Sequence, residues 1–158
     1  MGKRAYDRLS FLDTSFLITE SQTNHMHIAG TATYEAGPLR TPGGVIDIDK
    51  IRAYVESRLD RLPRYRQVLS YVPIENHPVW VDDQHFNIHY HVRHTALPRP
   101  GDARQLKRLS GRIVSQQLDR SKPLWEMWVV EGLEDGDHFA IITKVHHCMI
   151  DGMSSVDL

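Results

Sequence analysis

The sequence predicts an α/β fold in which helices pack on a mixed β-sheet. Three observations carry this prediction. Strand-like and helix-like periods alternate along the chain. Residues 139–145 are apolar on both faces over most of their length, the mark of a central, covered strand. The Glu134-Asp135-Gly136-Asp137 segment contains an Asp-Gly pair, whose tolerance of positive φ suits a tight hairpin turn into that strand. Length and composition agree, because 158 residues with 41% hydrophobic content suit one ordinary domain. A domain of this size buries roughly 70% of the surface its unfolded chain exposes, so it needs no disulfide staples.

The elements follow in order. Residues 1–24 read as irregular, and residues 25–34 as a strand that stops at Gly37-Pro38. Gly37, Pro38, Pro42, Gly43 and Gly44 make a loop, and no Gly-x-x-x-x-Gly-Lys pattern surrounds it, so it is not a phosphate loop. Asp47 then caps a helix on which Ile48, Ile51, Val55, Leu59 and Leu62 recur at helical spacing up to Pro63. Short β-rich pieces follow at 65–72, 79–81 and 86–92. In the last, Phe86, Ile88, Tyr90 and Val92 alternate with Asn87, His89 and His91, as a half-buried strand requires. After Pro98-Arg99-Pro100-Gly101, Asp102 caps a second helix carrying Leu106, Leu109, Ile113 and Leu118. Strands at 125–133 and 138–145 close the pattern.

Charge and targeting signals exclude several functions. The 19 Lys and Arg balance 20 Asp and Glu, leaving a formal charge of -1 and no basic block for nucleic acid. Residues 1–13 mix charged side chains with short apolar runs, which excludes a secretory signal. The longest apolar runs, such as Phe139-Ala140-Ile141-Ile142, fall far short of the ~20 residues of a membrane span. The lone Cys148 suits a reducing cytoplasm. Hydropathy leaves open a peripheral position at a membrane or lipid-inclusion surface.

The chemistry concentrates in His146-His147-Cys148-Met149-Ile150-Asp151-Gly152, at the end of the central strand. A strand end in an α/β sheet faces a crevice, and an imidazole with a pKa near 6.5 takes a proton from an attacking hydroxyl. Asp151 would fix the loop and Gly152 would let the chain turn. Spacing alone leaves a second reading open: a chance histidine pair, in a chain with ten histidines, followed by a common Asp-Gly turn.

The His-His-x-x-x-Asp-Gly pattern resembles that of the coenzyme A-dependent acyltransferase superfamily, which includes chloramphenicol acetyltransferases, nonribosomal peptide condensation domains and wax ester synthases. The flanks narrow the resemblance. The stretches 9–17, Met26-His27, Pro63-Arg64-Tyr65-Arg66, Leu118-Asp119-Arg120-Ser121-Lys122-Pro123-Leu124-Trp125-Glu126 and 146–158 resemble, in order, the amino-terminal half of bacterial wax ester synthase/diacylglycerol acyltransferases, with the Leu12-Asp13-Thr14-Ser15-Phe16 block and Pro123-Leu124-Trp125-Glu126 pointing to this branch. The resemblance implies a mixed-sheet, chloramphenicol acetyltransferase-like fold forming the amino-terminal half of a two-lobed enzyme. It implies His147 as the general base that deprotonates an acceptor hydroxyl for attack on an acyl-coenzyme A thioester. His146 would support it, Asp151 and Gly152 would shape the loop, and His27 would lie near the substrate channel. Acyl-coenzyme A enters as a substrate beside a fatty alcohol or diacylglycerol, with no resident cofactor. Ser154 and Ser155 would start the next helix rather than act as nucleophiles.

Family members run to several hundred residues, and 156–158 read as a helix cut short, so the carboxy-terminal half is expected as a separate chain. Two rivals remain: an acyltransferase of the same superfamily with a non-lipid hydroxyl acceptor, and a non-catalytic lipid-surface binding fragment. His85, His89, His91 and His94 lack a cysteine or carboxylate at ligand spacing, so no metal site is assigned. Trp80, Trp125 and Trp128 are expected in the core, as large aromatics of strands usually are, rather than along a lipid tunnel.

Overall fold

The computed structural model describes residues 6–150. Asp151, Gly152 and the helix expected to follow them lie outside the described residues.

Among the described residues, two sheets and four α-helices form the structure. The small antiparallel sheet has the order β1 (Asp7–Arg8), β4 (Pro78–Asp82), β3 (Gln67–Tyr71). The large sheet has the order β2 (His27–Glu35), β7 (His138–His146), β6 (Trp125–Glu131), β5 (Val92–Ala96), with β5 and β6 parallel and the other pairs antiparallel. This mixed sheet, with β7 in its interior, is the expected α/β architecture. Gly136, at φ 70°, makes the turn between β6 and β7. Along β7, the alternate residues Ala140, Ile142, Lys144 and His146 are all buried, whereas Ile141, Thr143 and Val145 are half-buried. The strand is therefore covered completely on one face only.

Helix α4 (Ala103–Val114) covers that face. It begins with a full capping box, in which Asp102 Oδ1 accepts Gln105 N–H at 2.8 Å and Gln105 Oε1 accepts Asp102 N–H at 3.0 Å. Leu106, Leu109 and Ile113 pack on Val130, Ala140 and Ile142. The helix ends at Val114 instead of reaching Leu118, which is buried beyond it. The opposite face of the sheet supports the larger core, where Trp125, Val129 and Phe139 meet α2 (Ile48–Leu59), Tyr65 and Trp80. Trp80 and Trp125 are core residues, and Trp128 is half-buried against the α4-side cluster.

Two elements depart from expectation. Residues 1–24 include a helix, α1 (Phe11–Thr19), started by Ser10, whose Oγ accepts Asp13 N–H at 3.0 Å and donates to Asp13 Oδ2 at 2.7 Å. Its outward face is apolar, with Phe11 92% and Ile18 78% exposed, so no amphipathic stripe announces it. Residues 86–92 are not one strand. Asn87 Oδ1 accepts His89 N–H at 2.9 Å and starts a single helical turn, α3 (Ile88–His91), before β5 begins at Val92.

The shift turns His91 inward. It is 1% exposed, its Nδ1–H donates to Trp125 O at 2.8 Å, and its ring stacks on Phe86 and Trp125. The four-histidine cluster is thereby divided: His91 is in the core, His94 is bonded to Glu131, and His85 and His89 are exposed. Among the described residues no group of three His, Cys, Asp or Glu side chains is placed to hold a metal.

Candidate active site

Strand β7 delivers the histidine pair. Its alternation puts His146 on the face toward α4, opposite His27 in the antiparallel register with β2. The chain then turns into a 3-10 segment, His147–Met149, which is anchored by the buried Cys148 and Met149. His147 itself is half-buried. Its N–H donates to Met26 O at 2.8 Å, and its ring stacks on Phe16 of α1 with 5.1 Å between centroids and 25° between planes. Backbone and ring are therefore both seated.

His146 is a different kind of histidine. It is 0% exposed, and its Nδ1 accepts Cys148 N–H at 3.1 Å, capping the turn that carries His147. Its Nε2 lies 3.3 Å from Glu20 Oε2, an approach without hydrogen-bond geometry. Burial pulls its pKa down to about 4, overriding the opposing pull of Glu20, so the ring is neutral at neutral pH.

Glu20, the residue that ends α1, joins four segments. Its Oε1 accepts from Arg120 Nε at 3.2 Å and Nη2 at 2.9 Å, and its Oε2 accepts Met26 N–H at 3.1 Å. Burial pushes its pKa up, but hydrogen bonds from Gln117, Met26 and Arg120, with the nearby His146, outweigh this and hold it at about 2. Arg120 Nη2 also donates to Leu17 O at 2.7 Å, satisfying a carbonyl at the open end of α1.

Three further side chains close the carbonyl end of α4. His27 Nε2–H donates to Val114 O at 2.7 Å, and His25 Nε2–H to Ser115 O at 2.9 Å, with the two rings stacked. Burial lowers the His27 pKa. Lys144, 1% exposed, donates to Ile113 O at 3.0 Å and Gln116 O at 2.7 Å, and lies 3.6 Å from Glu126 Oε2. Buried ammonium and carboxylate side chains need such partners, because an unpaired charge in this environment costs several kcal/mol. The structure thus commits the half-buried His27 to the end of α4, directly beside His146.

Cys148 is no nucleophile, since burial, reinforced by Asp13, raises its thiol pKa well above the usual range. Of the residues singled out in the sequence, His27, His146 and His147 come together at one end of β7. The sequence reading missed Glu20 and Lys144, and it quoted Phe16 and Arg120 only as parts of the resemblance, without a place in the site. For Lys144 the available signal was a lysine inside the mostly apolar 139–145 stretch, and for Phe16 and Arg120 their place in the stretches that carry the resemblance.

The sequence profile of the wax ester synthase/diacylglycerol acyltransferase catalytic domain matches residues 9–158. A putative diacylglycerol O-acyltransferase of Mycobacterium tuberculosis (strain ATCC 25618 / H37Rv) is 37% identical over 158 residues, covering 99% of this chain and 31% of that protein. A probable diacylglycerol O-acyltransferase of the same strain is 40% identical over 150 residues, covering 94% of this chain and 53% of that protein. The chain therefore spans between about a third and a half of these relatives. The solved wax ester synthase/diacylglycerol acyltransferase from Marinobacter aquaeolei VT8 superposes with a TM-score of 0.74 at 33% identity, over 92% of this chain and 34% of that one. The starter condensation domain of rhizomide synthetase superposes with a TM-score of 0.69 at 11% identity, a likeness of fold alone. Profile, relatives and superposition converge: the chain belongs to the wax ester synthase/diacylglycerol acyltransferase family.

Proposed function

We propose that this chain forms the amino-terminal part of an acyl-coenzyme A-dependent O-acyltransferase that acts on a fatty alcohol or diacylglycerol, with His147 as general base. The observation that supports this most is the contrast within the histidine pair. His147 is seated at a strand end by Met26 and Phe16 yet is only half-buried, whereas His146 is sealed and neutral. In the reaction the acceptor O–H gives its proton to the His147 imidazole while its oxygen bonds to the thioester carbon. The C–S bond then breaks, and the departing thiolate takes the proton back from the imidazolium. No serine or cysteine intermediate is invoked. Asp151 and Gly152 are assigned to holding the loop after the described turn.

The carboxy-terminal part that the relatives carry beyond the matched region is proposed to complete the enzyme, and the two together are called the assembled enzyme below. A lipid surface is its proposed workplace. None of the helices among the described residues is long and apolar enough to cross a membrane. The outward face of α4 exposes Arg104, Lys107, Arg108 and Arg112, none of which forms an ion pair among the described residues. Such a face suits anionic headgroups.

The test is release of free coenzyme A from palmitoyl-coenzyme A by the assembled enzyme. Hexadecanol and dioleoylglycerol serve as lipid acceptors, a soluble polyketide alcohol as the non-lipid rival. Ester formation with a lipid acceptor is the expected result. Turnover confined to the soluble alcohol would favour the non-lipid acceptor, and no turnover with any acceptor would favour a non-catalytic lipid-binding fragment.

A further inference from the structure

The end of α1 touches both histidines. Phe16 stacks on His147, and Glu20, one turn on, faces His146 while its own N–H donates to Phe16 O at 3.1 Å. Taken with the proposed role of His147, on which this inference rests, we propose that Glu20 is the positioning residue for that base: it holds His146 in the tautomer whose Nδ1 caps the turn carrying His147.

The geometry argues each link. His146 Nδ1 is an acceptor, because the Cys148 N–H at 3.1 Å is a donor. A neutral ring that accepts at Nδ1 must carry its proton on Nε2, and Nε2 is the atom that faces Glu20 Oε2. A carboxylate there favours the Nε2–H form and opposes the other tautomer, which would direct a lone pair at the anion and an N–H at another N–H. Glu20 remains a carboxylate because Arg120 and the Met26 N–H bind it. The same side chain acts from the other side, since Met26 presents its N–H to Glu20 and its carbonyl to the His147 N–H at 2.8 Å. The base is thus fixed by two short paths that start at one carboxylate. His146 has no route to a proton-transfer role in this arrangement, being 0% exposed.

An amide cannot accept on both sides as the carboxylate does. Glu20→Gln therefore conflicts either with Arg120 or with Met26 and His146, and it removes the bias on the tautomer. Asparagine at 146 is an effective helix-capping residue whose Oδ1 stands where Nδ1 does and needs no tautomer. His146→Asn should accordingly free the cap of the turn from Glu20 and leave only the Met26 path dependent on it.

The experiment measures two readouts on the assembled enzyme. The first is the tautomer of His146, read from its ring ¹⁵N chemical shifts with labelled histidine at pH 7. The second is kcat and KM for palmitoyl-coenzyme A. The wild type should show His146 as neutral Nε2–H. Glu20→Gln should give a mixed tautomer and roughly 10- to 100-fold lower kcat with KM within about twofold. Adding Glu20→Gln to His146→Asn should lower kcat by clearly less than Glu20→Gln does in the wild type, because only the Met26 path then depends on the carboxylate. A charged or Nδ1–H His146 in the wild type would overturn the proposal, as would an unchanged tautomer in Glu20→Gln or a fully additive double variant. If the assembled enzyme transfers no acyl group at all, the proposed function fails, and the ¹⁵N readout still decides whether Glu20 sets the tautomer.

Discussion

The α4-facing side of the large sheet changes character halfway along β7. At one end Val130, Ala140 and Ile142, each 0% exposed, pack under Leu106, Leu109 and Ile113. At the other end, on the same face and also buried, sit Lys144, Glu126 and His146, with the half-buried His27 beside them. The apolar end needs only volume and shape, and its stabilisation is the roughly 25 cal/mol per Å² of burial. The polar end pays a desolvation cost for every charge and must satisfy each donor in one geometry. Burial alone therefore does not separate scaffold from site here. What separates them is that the polar end fixes directions: it holds the carbonyls of α4, the end of α1 and the turn bearing His147.

The largest effect should come from the product of the polar end. His147→Ala in the assembled enzyme is expected to lower kcat by roughly 10²- to 10⁴-fold, the usual worth of a positioned general base. The thermal midpoint should stay near that of wild type, because His147 is half-buried and its backbone bond to Met26 remains. Turnover equal to wild type with both lipid acceptors would remove His147 from the chemistry.

At the apolar end the effects should reverse. Ile142→Ala leaves a void beneath α4 and is expected to cost about 2–5 kcal/mol in urea unfolding, with kcat unchanged well below the unfolding midpoint. A comparable loss of kcat would mean that packing under α4 also sets the geometry of the turn. Lys144→Met, near in length but without charge, tests the border between the two ends. It strands the Ile113 and Gln116 carbonyls and leaves Glu126 with Trp128 and Arg93 as its remaining partners, and should cost about 1–3 kcal/mol. Lys144→Met with Glu126→Gln should recover part of this, and an additive double variant would show that the two residues are energetically separate.

The apolar end was legible in the sequence because it obeys a period. Val130, Ala140 and Ile142 lie in runs whose length and turn residues predict strands, and Leu106, Leu109 and Ile113 keep helical spacing. The histidine pair was legible as a motif at a strand end. The pairing of Glu20 with Arg120 was not, although Arg120 lies in a stretch that carries the resemblance, since the two are 100 residues apart and meet only in the folded chain. Residues 86–92 misled for a local reason: their alternating pattern satisfies a strand, but the Asn87 cap diverts the backbone into a turn and sends His91 into the core. Side chains that bond backbone compete with hydrophobic alternation, and alternation alone does not reveal who wins.

The smallest effect is the pH dependence that the sealed histidine imposes on stability. Folded His146 has a pKa of about 4, against an unperturbed value near 6.5 for the unfolded chain. Between those values the unfolded state binds a proton that the native state refuses, so stability falls as pH falls, by up to about 1.4 kcal/mol per pH unit for this one group. Above pH 6.5 its contribution is constant, and below about 4 the loss is complete. Glu20, held at about 2, adds an acid-side loss of the same sign between its ordinary range and that value. Burial lowers His27 and His91 as well, so they slope in the same direction and the total will exceed one proton. His146→Asn isolates the one that matters: its unfolding free energy should decline between pH 6.5 and 5 less steeply than that of wild type, by about 1 kcal/mol per unit. Equal slopes would show that His146 takes up its proton alike in both states. A steeper decline in the variant would mean that His146 folds as a cation paired with Glu20, and the polar end would then be held by an ion pair in place of a neutral cap.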